Sequence, residues 1–286
     1  MREINLSDGH FEHENIEIFQ ADCLDVLPEL QGRGIRLAIA DPPYNVYDIA
    51  QFAHAVPFQR RNHAVTFDEH DDNFLEFTQR WVDLVTAALH PDGSLFVFGG
   101  VNYKNGNDLL GILPYLRQQL EFINLIVWHY PNGSDSRRFF ANRHELIAWF
   151  ARSRKYTFNL DAVREIYDEK RLKAYLKDKR LNPEVVAKGR NPTNVWQINR
   201  VGANAKERLG HPTQKPEEII ERIVLSCSDV GDVILDSFAG VGTTPAVCAR
   251  LGRGCIAIES DPNYFKIAVD RVQHVIDTMG GESNGE

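Results

Sequence analysis

The residues Leu37–Tyr44 have the sequence LAIADPPY, which predicts a buried strand that ends in a ligand site. Leu37–Ala40 is a short apolar run bounded by turn residues, which is typical of a strand buried on both faces. Asp41 ends this strand, because the two prolines that follow have no backbone N–H to extend a ladder. The pattern predicts a carboxylate and an aromatic ring, Tyr44, at the carboxyl end of a strand, where α/β sheets bind ligands.

This group of residues suits chemistry on the exocyclic amine of a nucleobase, whose lone pair is delocalised into the ring. The Asp41 side chain and the Pro42 main-chain oxygen are placed to accept the two amine N–H bonds and so localise that lone pair on nitrogen. Pro43 would stiffen the turn, and Tyr44 would stack on a base taken out of the duplex. The alternative is an ordinary strand-to-turn corner in which Asp41 caps the turn.

The composition is that of an ordinary globular protein, since 43% of the 286 residues are hydrophobic and 25% are charged. The chain has no apolar run of about 18 residues and no apolar N-terminal segment, so we expect neither a membrane span nor a signal peptide. The four cysteines show no CxxC spacing, which predicts a reduced, cytoplasmic protein without a structural zinc or other metal site. Cys227 alone among them lies outside the segments predicted to form the core or its margin.

The charge is distributed unevenly, although the net charge of −8 argues against a general nucleic-acid binder. Residues 137–206 hold 17 of the Lys and Arg against 7 of the Asp and Glu. This asymmetry predicts a cationic face for a polyanion, and a solvated helical surface with internal salt bridges around residues 168–180 is the alternative. The candidate DNA-contacting residues on this face and in the segment after Tyr44 are Arg60, Arg61, Arg137, Arg138, Arg143, Lys179, Arg180, Lys188 and Arg190.

A second pattern, DSFAGVGTTP at Asp236–Pro245, joins a predicted strand to a predicted helix through two glycines. The glycines let the backbone turn tightly and bring helix N–H groups to a ligand. A dinucleotide fold would place a third glycine at position 245, where this chain has proline, so a smaller nucleoside ligand fits better than NAD. Glu259 follows Gly242 by 17 residues and is placed to accept both hydroxyls of a ribose; a solvated strand-end acid is the alternative.

The sequence HPTQKP at His211–Pro216 precedes the helix that leads into this glycine turn. It supplies an imidazole, a hydroxyl and an ammonium beside the expected ligand, and the alternative is a plain loop in which Thr213 caps the helix. Asp22 follows a strand predicted at Ile16–Phe19, either as a helix N-cap or as a ligand acceptor.

Strands alternate with helices along most of the chain, which predicts an α/β fold with a mostly parallel sheet and helices on both faces. We divide it into a catalytic half at 16–136, a basic target-recognition region at 137–206, a cofactor-binding half at 207–279 and a disordered tail at 280–286. Residues 45–73 lack periodicity and are predicted to form a flap that closes over nucleic acid; a loop that only covers the surface is the alternative.

The motifs DPPY, HPTQKP and FAGVGTT in this order resemble the β group of DNA amino-methyltransferases, over about residues 16–272. That resemblance implies a Rossmann-like fold and transfer of a methyl group from S-adenosylmethionine to adenine N6 or cytosine N4. Within the basic region, RFFANRHE at Arg138–Glu145, KDKRLNPE at Lys177–Glu184 and KGRNPTNVW at Lys188–Trp196 are similar to the RsrI type of adenine methyltransferase. The similarity implies an adenine target within GAATTC or a related site.

The resemblance also implies roles for single residues. Asp41, Pro42, Pro43 and Tyr44 would form the catalytic and base-binding group. Phe238, Gly240 and Gly242 would line the methionine end of the cofactor, Glu259 its ribose and Asp22 its adenine amine, with Thr213 and Lys215 beside its carboxylate. The complete set of implied cofactor-binding residues is Asp22, Cys23, Asp41, His211, Thr213, Lys215, Phe238, Ala239, Gly240, Gly242, Thr243 and Glu259.

The expected partners are double-stranded DNA and a cognate restriction endonuclease that acts on the same site, with the chain itself a monomer or homodimer. Three other functions stay open. A cytosine-N4 methyltransferase would more often have Ser in place of Asp41, a non-catalytic DNA-binding regulator could retain the fold, and fold alone does not exclude a nicotinamide-dependent oxidoreductase.

Overall fold

The computed structural model of the protein describes residues 9–43, 73–100, 108–131, 137, 140–202 and 204–282. Tyr44, Arg60, Arg61 and Arg138 lie outside the described residues, and so does the predicted flap except for its last residue.

The described strands are β1 (His10–His13), β2 (Ile16–Gln20), β3 (Ile35–Ala40), β4 (Leu89–Gly99), β5 (Glu121–His129), β6 (His144–Ala151), β7 (Val195–Gln197), β8 (Val233–Asp236) and β9 (Gly254–Glu259). The described α-helices are α1 (Cys23–Val26), α2 (Asn73–Ala88), α3 (Leu109–Gln119), α4 (Glu169–Lys177), α5 (Pro183–Ala187), α6 (Glu217–Cys227), α7 (Thr243–Leu251) and α8 (Pro262–Glu282). No described helix is both long enough and apolar enough to cross a membrane.

All of these strands form one sheet in the order β1-β2-β9-β8-β3-β4-β6-β5-β7. β1 runs antiparallel to β2, and β6 runs antiparallel to both β4 and β5, while the other neighbouring pairs are parallel. The predicted mostly parallel sheet is therefore confirmed. The carboxyl ends of β2, β9, β8, β3 and β4 lie at one edge, and the first residues of β6 lie at that same edge because this strand is reversed.

β3 is buried on both faces, as its apolar run predicts. Leu37 and Ile39 join the core on one face, where α6, α7 and α8 pack, and Ala38 and Ala40 join the core on the other, with α2 and α3. The alternation follows from the two-residue period of a strand, which sends successive side chains to opposite faces. The predicted helices on both faces are thus confirmed.

The two predicted halves of the chain interleave in this sheet. β8 pairs directly with β3, and β9 pairs with β2. β6 and β7, which belong to the predicted recognition range 137–206, are also strands of the same sheet. In the β3–β8 register Ile39 lies opposite Asp236, so the sheet itself brings Asp41 next to the glycine turn.

Some boundaries differ from the sequence prediction. The helical surface predicted around residues 168–180 is shorter than expected: α4 ends at Lys177, where Asp178 adopts an extended backbone, and a second short helix begins at Pro183 with Asn182 as its N-cap. The final helix continues to Glu282, so residues 280–282 of the predicted tail are helical. Cys227, which was placed outside the core, is 1% exposed. The short edge strands β1 and β7 were not predicted.

Candidate active site

A cavity of about 510 Å³ opens at the sheet edge where β2, β9, β8, β3 and β4 end. It brings together nearly all of the site residues that the sequence predicts among the described ones. The predicted residues that line it are Asp22, Cys23, Asp41, Pro42, Pro43, His211, Thr213, Lys215, Phe238, Ala239, Gly240, Thr243 and Glu259.

Asp41 lies in this cavity and forms an ion pair with the ammonium group of Lys215. The distance from Lys215 Nζ to Asp41 Oδ2 is 2.6 Å, and the Lys215 side chain is only 7% exposed. Burial alone would lower the pKa of Lys215, but that pKa is raised because Asp41 and Glu145 stabilise the ammonium form. The sequence prediction put Lys215 beside a cofactor carboxylate; the structure directs its Nζ to Asp41.

The glycine turn follows Asp236, whose Oδ1 accepts a hydrogen bond from the Phe238 N–H at 3.0 Å. Burial raises the pKa of Asp236 to about 6. Gly240 adopts a left-handed conformation with φ +53°, which favours glycine, and its N–H donates to Glu259 Oε2 at 2.8 Å. The backbone of the turn thus lines the cavity, and a hydrogen bond connects it to the carboxylate at the end of β9.

Each carboxylate oxygen of Glu259 accepts a hydrogen bond from one backbone N–H group. Oε1 accepts from Asp261 at 2.8 Å, and Oε2 accepts from Gly240. Burial raises the pKa of this carboxyl to about 7. Because each carboxylate oxygen has two lone pairs, both oxygens can still accept a hydroxyl from a ligand.

His211 lies over the glycine turn as a neutral ring. Burial lowers its pKa to about 4. Its Nδ1 accepts the Thr213 N–H at 3.3 Å, and the ring meets the edge of Tyr264 with the centroids 4.6 Å apart. A neutral imidazole packed on Tyr264 makes a wall of the cavity without adding charge.

Asp22 and Cys23, which follow β2 in the chain, line the cavity. Asp22 is the N-cap of α1, and its Oδ1 accepts from the Leu24 N–H at 2.8 Å. Burial raises the pKa of the Cys23 thiol to about 12, and the neighbouring charge of Asp22 adds to the shift. Cys23 is therefore a packing residue and not a nucleophile.

Aromatic walls were missed by the sequence prediction. The Phe238 ring meets Trp81 edge-on with the centroids 5.6 Å apart, and the centroid of the Phe77 ring lies 6.3 Å from that of Phe238. Phe77 and Phe98 both line the cavity. Phe98 stands just before the Gly99-Gly100 that closes β4, a strand-end position like that of Asp41, and this spacing could have identified it.

Gly242 differs from the prediction, since it is not among the residues that line the cavity. Its φ is +74°, and a methyl group added there would lie 2.8 Å from Cα of Ala268 in α8. This glycine therefore allows α7 to begin close against α8.

The predicted DNA-contacting residues fall into two groups where the structure describes them. Lys188, Arg190 and Arg180 form ion pairs with Asp161, Glu165 and Asp178 respectively. Lys179 is exposed and has no carboxylate partner among the described residues, Arg137 is exposed and Arg143 is partly buried. The alternative of an internally salt-bridged surface is thus correct for part of the region.

The cavity fits a nucleoside-sized ligand. Its volume lies within the range of about 300–1,000 Å³ that is usual for small-molecule sites. It offers a carboxylate at Glu259 with free lone pairs, a second carboxylate at Asp22, a glycine turn that leaves room for a ligand, and aromatic walls. Asp41 faces the same space, so a bound ligand and a substrate amine can meet there.

Comparison with known proteins agrees with this arrangement. A family model for N6 and N4 methyltransferases, described as DNA methylase, matches residues 35–270. The Type II methyltransferase M.HpaI of Haemophilus parainfluenzae is 32% identical over 256 residues, which are 88% of this chain and 72% of that protein.

Solved structures show the same fold at lower identity. The M1.HpyAVI–SAM complex aligns with a TM-score of 0.57 at 21% identity, covering 89% of this chain and 98% of that one. The PvuII DNA methyltransferase, described as cytosine-N4-specific, aligns with a TM-score of 0.61 at 19% identity, covering 96% and 94%. The predicted Rossmann-like methyltransferase fold is confirmed, and with the family match over most of its length the chain belongs to the N6/N4 DNA methylase family.

Proposed function

We propose that this DNA methyltransferase modifies N6 of an adenine taken out of double-stranded DNA. The observation that carries the proposal is the position of Asp41. Its carboxylate lies at the end of β3 in the same cavity as Glu259 and the glycine turn. A nucleobase amine held by Asp41 would therefore lie beside a nucleoside ligand held by Glu259.

S-adenosylmethionine is the cofactor, and when bound it supplies an electrophilic methyl group. Glu259 would accept the ribose hydroxyls, and Asp22 would accept from the adenine amine. Phe238, Ala239 and Gly240 would line the methionine end. His211, Thr213, Thr243 and the backbone near Lys215 complete the wall on the other side.

The residues of the chain act by positioning and hydrogen bonding. Asp41 and the Pro42 carbonyl accept the two N–H bonds of the target amine, which localises the lone pair on nitrogen as it becomes tetrahedral. Tyr44, which follows directly in the sequence, would stack on the extruded base. No thiol nucleophile is needed, in keeping with the raised pKa of Cys23.

The basic region at 137–206 would hold the DNA, with Lys179 and Arg137 contacting phosphates directly. Its similarity to the RsrI type of adenine methyltransferase supports GAATTC or a related site as the target. The relative M.HpaI is named a Type II methyltransferase. We therefore place the protein in a restriction–modification system with a cognate endonuclease, or alone as an orphan modification enzyme, acting as a monomer or homodimer.

The test is to express the protein in a methylation-free host and to analyse the DNA. Mass spectrometry of digested DNA should detect N6-methyladenine, and long-read modification mapping should place it at one short sequence. N4-methylcytosine would contradict the adenine target in favour of the cytosine alternative. An absence of any added methyl group would favour a non-catalytic DNA-binding regulator.

A further inference from the structure

The ammonium of Lys215 is shared between two carboxylates. Besides the contact with Asp41, Lys215 Nζ lies 3.6 Å from Glu145 Oε2. It also lies 5.4 Å from the centre of the Phe98 ring. Four parts of the chain supply this cluster: the residue after β3, the end of β4, the second residue of β6 and the loop before α6.

Asp41 and Lys215 line the cavity, whereas Glu145 does not. Its Oε2 is buried and has no hydrogen-bond partner among the described residues. Burial raises the pKa of Glu145, while the charge of Lys215 opposes that shift. Leaving a buried acceptor without a hydrogen bond is costly, so the contact of this oxygen with the charge of Lys215 is the interaction that favours a glutamate here.

The backbone of Lys215 is held independently of these charges. The carbonyl of Lys215 accepts from Thr243 Oγ1 at 3.4 Å, and the preceding Gln214 is fixed by bonds to Leu209 and Glu207. With the backbone fixed, Asp41, Glu145 and the Thr213 carbonyl, to which Nζ donates at 3.4 Å, are the oxygens around the flexible ammonium. Arg200 adds a weaker favourable charge near Glu145 from its place over the Tyr130 ring.

We propose that Glu145 is a positioning residue for methyl transfer, acting on Asp41 through Lys215. The ammonium of Lys215 interacts with Glu145 as well as with Asp41. Lys215 therefore orients the Asp41 carboxylate without fully neutralising its charge. Asp41 then keeps the acceptor strength that the target amine requires. With only one carboxylate beside it, the charge of Lys215 would act on Asp41 alone and would weaken this carboxylate as an acceptor for the amine.

The inference rests on the proposed role of Asp41 but not on the identity of the methylated base. The assay therefore measures total transfer of labelled methyl from S-adenosylmethionine to DNA. Glu145→Gln preserves the size of the side chain and removes its charge. We expect kcat to fall about 10- to 100-fold, a loss typical of a displaced reacting group. The Kd for S-adenosylmethionine should stay within threefold of the wild-type value.

Thermal unfolding of the cofactor-free protein separates positioning from a structural role. The Tm of Glu145→Gln should stay within about 3 °C of wild type, because the variant removes a buried charge whose oxygen lacks a hydrogen bond. Glu121→Gln is the matched control, since Glu121 pairs with Arg154 on the surface. It should leave both kcat and Tm unchanged.

A double-mutant cycle tests the path through Lys215. In a Lys215→Met background, Glu145→Gln should lower kcat by less than threefold. Glu145→Asp, which keeps the charge, should retain more activity than Glu145→Gln. The proposal is overturned if Glu145→Gln keeps wild-type kcat, if the loss is equal in both backgrounds, or if activity and Tm fall together. If Asp41→Asn keeps full activity in the same assay, it is the proposed function of Asp41 that fails.

Discussion

Glu259, the proposed acceptor of the cofactor ribose, has a pKa close to neutral pH. Its pKa is raised to about 7 by burial, so in the cofactor-free protein the carboxyl is protonated below that pH. Ribose hydroxyls that donate to the carboxylate favour its charged form, so binding of S-adenosylmethionine should release a proton. Because burial raises the pKa of Glu259 in the folded chain, its contribution to the stability of the cofactor-free fold is fully present at low pH and is lost as the pH rises through 7.

The affinity for S-adenosylmethionine should therefore weaken about tenfold between pH 8 and pH 6, where the carboxyl becomes mostly protonated. Glu259→Gln should bind more weakly at pH 8 and show no such dependence. Isothermal calorimetry across this range makes the measurement, with the exposed Glu12→Gln as control. A wild-type affinity that does not vary between pH 6 and 8 would contradict the role given to Glu259.

Gly242 provides a second test at the scale of the residue. Gly242 and Gly32 have nearly the same left-handed backbone, with φ of +74° and +78°, but only Gly242 faces a close neighbour. Alanine at either position should cost about 1–2 kcal/mol through backbone strain. Gly242→Ala should cost about 1–3 kcal/mol more, because its methyl group overlaps Ala268. Urea denaturation measures both, and equal losses would show that the contact with α8 is unimportant.

Single residues also show what a sequence can predict about a site. Asp41 and Glu259 were identifiable because each is an acid directly after an apolar run. The pairing of Lys215 with Asp41 was not identifiable, since 174 residues separate the two and only the fold brings them together. Glu145 carried no sequence signal of a site, because it is the second residue of a strand whose partners are determined by sheet order.

Among the elements, the long helices and buried strands were predicted, but not all of their ends, since the final helix continues into the predicted tail as far as Glu282. β1 and β7 were missed because each is only three or four residues long and lies at an edge of the sheet. Neither offers the alternation or the apolar run that identifies a strand. The recognition region was predicted from charge alone, and charge does not reveal which cations are already paired.

The pairing within this region makes a prediction about DNA binding. Lys179, just after α4, has no carboxylate partner among the described residues, whereas Lys188 Nζ lies 2.6 Å from Asp161. Lys179→Ala should reduce the slope of log affinity against log salt concentration by about one, which corresponds to one counterion released on binding. Lys188→Ala should reduce this slope by less. Fluorescence anisotropy at several salt concentrations distinguishes them. The same slope for wild type and Lys179→Ala would remove Lys179 from the interface.

In the whole molecule, the sheet topology brings residues from both ends of the chain together around the cavity. β3, which ends directly before Asp41, lies between β8 and β4, and β2 lies against β9. The order of elements in the sequence predicted the sheet and its parallel character, but not the neighbour of each strand. That neighbour depends on how crossovers pack, which no local pattern records.

This interleaving predicts one cooperative unfolding transition for the cofactor-free protein. Far-UV circular dichroism, which follows the helices, and tryptophan fluorescence, which follows Trp81 and Trp128 in the core, should give coincident curves. Separate midpoints for the two probes would mean that the predicted halves fold as independent units, contrary to the sheet order.

The central claim is that Asp41 acts on the target amine and not on the cofactor. Its most direct test compares wild type with Asp41→Asn, which keeps the shape of the side chain and removes its charge, in one preparation with labelled S-adenosylmethionine and duplex DNA. We expect a loss of kcat of about 100-fold or more, as for removal of a catalytic acid or base, with cofactor Kd changed by less than threefold. Retention of wild-type turnover, or a loss explained by weaker cofactor binding, would contradict it.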